Sequence, residues 1–216
     1  VDYLRIQNVE NNQDYVASIS GKGNYSSLED AVAVAADGDT ITVLRSATIS
    51  QSMQVSGKNI TIVPASGEDI TLGVASDFTV TGTGATDVKS LFIVSGGGSL
   101  TIGNNAENTK IAFDGNKSSG KDMSMVYVAG GSFTLGENAT LRNNNSTGNA
   151  GALYLGQGTS ATIKGTIADT SGTYGAIYIN ACGSIILDGA TFSGNCSDSN
   201  GNNYAVYAVG NESTVK

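Results

Sequence analysis

The chain has 216 residues, 19 of them acidic and 11 basic, with no histidine or tryptophan and a formal net charge of −8. That length holds one sizeable core, and the acidic balance with scattered Lys and Arg excludes nucleic acid and anionic membranes as partners. No apolar run is long enough to span a membrane, so no membrane insertion is expected, and two cysteines are too few for a disulfide scaffold.

Residues 1–13 show no periodic pattern and are read as an N-terminal extension or linker; residues 14–216 are read as a single domain. The first strand is "YVASIS". The one helical segment follows in "YSSLEDAVAVAADGDTITVL", where Ser26 and Glu29 have capping-box spacing, Leu28, Ala31, Val32 and Ala35 form an apolar face, and Gly38 is a stop. The helix and first strand suit a lid over the open edge of what comes next. "NITIVPASGEDITLGVASDFTVTG" reads as an early coil with a longer excursion, its Gly82 and Gly84 marking a turn.

From Leu91 onward one phrase recurs: "LFIVSGGGSLTIG", "MVYVAGGSFTLG", "ALYLGQGTSATIKG", "AIYINACGSIILDG" and "AVYAVGNESTVK". Each is an apolar strand, a glycine-rich corner and a second strand; full copies add a third segment, such as "ATLRNNNS" or "ATFSGNCS". Self-similarity at about 24 to 34 residues is the mark of a stacked solenoid. Three short strands per repeat, with no helical pattern between them, describe one coil of a parallel β-helix. A sandwich of hairpins is the competing fold, but it does not require the phrase to recur in order. The expected class is therefore all-β, a parallel β-helix with a short N-terminal capping helix.

Alternation along each strand sends Leu153 and Leu155 inward and Tyr154 outward. The same rule makes Tyr127, Tyr154, Tyr178 and Tyr207 an outward column, capped by Ile93. Such a column could bind a sugar or a protein surface, or stabilise the coils by stacking on itself. In the third segment, Asn116, Asn144, Thr170 and Asn195 fall three residues past the last apolar position and form an expected inward ladder of structural polar groups. The last coil stops at "NESTVK", so the C-terminal coil is read as incomplete, with further chain or a partner expected beyond it. Asn24, Asn59, Asn116, Asn138, Asn144, Asn145, Asn195 and Asn211 each begin an N-x-S/T sequon, which a chain rich in Asn, Ser and Thr also produces by chance.

The stretch "YSSLEDAVAVAADGDTITVL" with "NITIVPASG", and later "GGSFTLG…ATLRNNNSTGNAGALYL", resembles pectate-lyase-like right-handed β-helix modules of large surface proteins of Gram-positive bacteria. The resemblance implies right-handed coils, an extracellular or wall-attached setting, and a place in a longer, adhesin-like, multi-domain chain. Enzymes of this family cleave acidic polysaccharides: the lyases with calcium held by Asp beside a basic residue, the hydrolases with several Asp and a His. The sequence lacks His, which removes the hydrolase equipment and any Ser-His or Cys-His pair. Arg142, aligned with Asp114 and Ala168 and one step from Asp169, is the lyase candidate, and it is read more simply as a surface ion pair. No cofactor is expected; calcium at the turn "DSNGNN" from Asp198 is the alternative to a solvated turn. Cys182 and Cys196 flank different sides of one coil and are read as separate thiols. Ice binding through "TIT" and "TVTGT" is set aside, because these do not form a regular Thr-x-Thr column. The expected function is a non-catalytic extracellular stalk or adhesive surface, with a glycan or a host or cell-surface protein as partner. The alternative is a carbohydrate-active module, a lyase relative or a glycan binder.

Overall fold

The computed structural model describes residues 14–79, 89–103, 108–117, 123–194, 196–198 and 200–216. The extension 1–13, the Gly82–Gly84 turn and Asn195 lie outside the described residues. The chain opens with β1 (Ala17–Ile19), β2 (Gly23–Tyr25) and α1 (Leu28–Val34). It then winds through three sheets, A, B and C, always in that order. The rounds are β3 (Thr40–Val43), β4 (Ala47–Gln51) and β5 (Met53–Ser56); β6 (Asn59–Pro64), β7 (Ile70–Thr79) and β8 (Ser90–Ser95); then β9 (Gly98–Ile102), β10 (Ile111–Asp114) and β11 (Ser124–Val128).

Later rounds add a two-residue strand at the corner between sheets B and C. They are β12 (Gly131–Leu135), β13 (Ala139–Arg142), β14 (Asn145–Ser146) and β15 (Leu153–Leu155); β16 (Ser160–Ile163), β17 (Thr166–Ala168), β18 (Ser171–Gly172) and β19 (Ile177–Ile179); and β20 (Ser184–Leu187), β21 (Thr191–Ser193), β22 (Ser197–Asp198) and β23 (Val206–Ala208). β24 (Thr214–Val215) starts another round on sheet A. From β3 onward every strand pairs parallel with its counterpart one round away. The architecture is mostly β, built of stacked parallel sheets in the manner of a β-helix-like solenoid.

The core follows from alternation and register together. On sheet B, Leu72, Phe113, Leu141, Ile167 and Phe192 lie one above another. On sheet C, Phe92, Val126, Leu153, Ile177 and Val206 do the same. Between those walls the rings of Phe92 and Phe113 meet edge to face with centroids 5.2 Å apart. Stacking like on like makes each coil the floor of the next, so burial is complete in the middle coils and thins toward the last one.

The N-terminal lid departs from expectation in detail. β1 runs antiparallel to both β3 and β2, so sheet A is mixed at this end. Leu28, Ala31, Val32 and Ala35 are buried, as their spacing requires. The N-cap, however, is Ser27 rather than Ser26: its side chain accepts the Asp30 N–H at 3.0 Å. Glu29 does not close a capping box. Its Oε1 accepts from Ser50 N at 2.7 Å and Ser50 Oγ at 3.2 Å, so it ties the helix to β4. The helix stops at Val34, ahead of Gly38, and Lys58 Nζ donates to the carbonyls of Val32 and Ala35 at 2.7 Å each. A cation at this end suits both the free carbonyls and the helix dipole. Ser27→Ala should therefore cost about 1 kcal/mol in urea unfolding, and Ser26→Ala close to nothing.

Candidate functional site

Tyr127, Tyr154, Tyr178 and Tyr207 stand on four consecutive strands of sheet C in unbroken register, with Ile93 and then Gln54 continuing the row. Ring centroids are 5.1 Å apart for Tyr127–Tyr154, 4.7 Å for Tyr154–Tyr178 and 6.2 Å for Tyr178–Tyr207. The first pair is edge to face, at 86°, and the last nearly parallel, at 15°. These are the favoured aromatic geometries, worth about 0.5–1.5 kcal/mol per pair beyond burial. The rings thus hold one another along the solenoid.

Two further tyrosines join them. Tyr174, in the turn before β19, lies 4.7 Å from Tyr178 and 5.5 Å from Tyr207. Tyr204, in the corresponding turn before β23, lies 6.4 Å from Tyr207. They fall outside the strand alternation, so periodicity could not find them; the signal available was only their closeness in sequence to Tyr178 and Tyr207. Exposure rises along the column: Tyr127 is 7% exposed, Tyr207 38% and Tyr204 46%.

Burial raises the pKa of Tyr127, Tyr154 and Tyr178, and neighbouring tyrosines push the latter two in the same direction. The neutral phenol is therefore favoured in the folded state. The unfolded chain loses these protons first, near the ordinary tyrosine value of about 10, so the associated stability is whole below that pH and drains away as pH rises through the folded values. A spectrophotometric titration should show phenols ionising later than free tyrosine, and thermal stability should fall in the same alkaline range.

The expected inward ladder has a different construction. Asn144 is buried, and its Nδ2 donates to the carbonyls of Met123 at 2.7 Å and Gly151 at 2.6 Å. Asn116 has φ +49° and is not the residue that matches it: it donates to the Val74 carbonyl at 3.1 Å, while Gly115 sits against the Asn144 side chain, where a Cβ would overlap it. The left-handed residue in the next coil is Asn143, at φ +54°, so this corner is one residue longer in the coil of Asn116. Thr170 is buried, and its Oγ1 lies 3.9 Å from Cys196 Sγ. The Asn116 and Asn144 amides each donate to main-chain carbonyls. A second inward polar pair, not read from the sequence, is Ser90 and Ser124, in register at the entry to sheet C; Ser52, buried one step aside, donates its Oγ to Ser90 O, and Ser124 Oγ donates to Ala150 O, both at 2.7 Å.

Arg142 and Asp114 pair at 2.9 Å across β10 and β13. The other Asp114 oxygen accepts from Asn143 Nδ2 and Asn116 N, and Arg142 reaches Thr71 Oγ1 at 3.5 Å. Every one of these contacts is within the protein surface, in keeping with an ion pair. At Asp198 the carboxylate accepts from Asn202 Nδ2, Asn202 N and Asn200 N, which holds its pKa below the usual value, the Asn202 side chain first. The carboxylate thus closes its own turn. Among the described residues no three His, Cys, Asp or Glu side chains gather where they could hold a metal ion. Cys182 is exposed and Cys196 buried, both as thiols. No helix among the described residues is long and apolar enough to cross a membrane. No family model matches the chain, and no match to it was found among curated proteins or solved structures.

Proposed function

We propose that the chain is a right-handed, pectate-lyase-like β-helix module of a Gram-positive surface protein, one part of a longer multi-domain chain. In this reading it sits outside the cell, on the wall or surface, and works without catalysis or cofactor as a rigid stalk that presents an adhesive face. The observation that supports the reading is the tyrosine column with its gradient of exposure. The inner rings lock coil to coil, and Tyr204 and Tyr207 remain open to a partner. Tyrosine at an exposed, packed cluster is the residue type that carries binding energy at interfaces. The partner is a glycan or a protein of a host or cell surface.

The test is a glycan array and a panel of surface glycoproteins probed with the intact chain. Tyr204→Ala and Tyr207→Ala should abolish binding while lowering the melting temperature less than the more deeply packed Tyr154→Ala does. Silence on both panels, with stability lost in every tyrosine variant, would assign the column a structural role alone. The carbohydrate-active alternative, a lyase relative, draws on Arg142 beside Asp114. It requires unsaturated product from an acidic polysaccharide with calcium, and loss of that product in Arg142→Ala.

A further inference from the structure

The outer face of sheet A carries a second regular array, independent of the tyrosines. One column runs through Thr61, Thr101, Thr134 and Thr162 on adjacent strands, with Thr40 before it. Two residues earlier a second column runs through Ser99, Ser132 and Ser160 on three of these strands and ends at Ser184 on β20, where Ile186 takes the threonine place; on β6 Asn59 takes the serine place. The motif Ser-x-Thr therefore repeats unshifted on β9, β12 and β16. Serine in one of the two columns hides this regularity from a search for Thr-x-Thr.

Strand geometry fixes the repeats: about 4.8 Å between coils and about 6.6 Å between the paired side chains along a strand. The coil repeat lies near the shorter repeat of the oxygen rows on hexagonal ice, and the along-strand repeat is somewhat shorter than the longer one. All eight serines and threonines of the two columns are half-buried, side by side in the sheet surface. None of the chain's charges occupies these positions, although the net charge is −8. A charge would hold its own hydration shell and break a lattice of bound water; neutral hydroxyls and threonine methyls near lattice spacing would not. The face also carries no aromatic ring at these positions, whereas sugar platforms use rings, and in this molecule those stand on sheet C.

We infer that the Ser-x-Thr face of sheet A binds ice, ordering a layer of water that joins the crystal lattice. The test uses the whole chain in nanolitre osmometry, with partition into a growing ice hemisphere as a second readout. The wild type should shape ice crystals, hold a measurable gap between melting and growth, and enter the ice fraction. Thr134→Lys and Thr162→Lys, both outward and so compatible with the fold, should abolish all three, and Tyr207→Ala should keep them. A wild type that melts cooperatively yet shows no gap and stays in the liquid overturns the inference. So does retention on microcrystalline cellulose that Thr134→Lys removes, which would make the face a glycan surface.

Discussion

Phe113→Ala is expected to lower the unfolding free energy by about 3–5 kcal/mol. The ring is fully buried, is sandwiched in its column between Leu72 and Leu141, and meets Phe92 edge to face across the core. Truncation leaves a cavity bounded by coils above and below, which cannot collapse without shifting the register of three sheets. Phe192 occupies the same column in a later coil but is only partly buried there. Phe192→Ala should cost less, since part of its surface stays in water even in the folded chain. Urea unfolding followed by far-ultraviolet dichroism and tyrosine fluorescence measures both. Equal losses at the two positions would show that the coils do not build on one another as described.

Gly131→Ala is the second large effect. Gly131 opens β12 with φ +125°, a region closed to residues with a side chain, and it pairs with Gly98 one coil away. An added Cβ falls inside the Gly98 carbonyl, and a backbone atom within a paired strand has nowhere to move. Strain and overlap together should cost about 3–5 kcal/mol. Gly97, on the preceding coil, also has positive φ, +77°, but nothing lies within 4 Å of the place a Cβ would take there. Gly97→Ala should cost only about 1–2 kcal/mol, the left-handed penalty alone. The pair separates what backbone conformation costs from what coil stacking costs.

The coil was legible because its strands are short and its inward residues alternate strictly. "GALYL" and "GAIYI" specify which side faces the core without any knowledge of the neighbours, and the recurrence of the phrase aligns them. Corners were harder. Asn116 and Asn144 occupy like places in the text, yet Gly115 lengthens one turn by a residue, and only the left-handed φ values reveal it. Ser26 and Ser27 are both good caps; the choice between them depends on Glu29, whose carboxylate is held by Ser50, 21 residues further on. Tyr174 and Tyr204 reach the column from irregular turns, where no period applies. The antiparallel pairing of β1 with β3 is a tertiary contact that leaves no local signal. The hydroxyl face was written in the sequence, but in a mixed Ser and Thr alphabet that a search for a single residue type passes over.

The register of the tyrosines underlies the solenoid, the stalk and the adhesive face together. Through-space proton contacts between aromatic rings, measured by nuclear magnetic resonance on a chain with labelled tyrosine, report on it directly. The ring protons of Tyr154 should show contacts to both Tyr127 and Tyr178, with Tyr178 also touching Tyr174. Rings of Tyr154 that contact neither Tyr127 nor Tyr178 would contradict the stacked parallel coils.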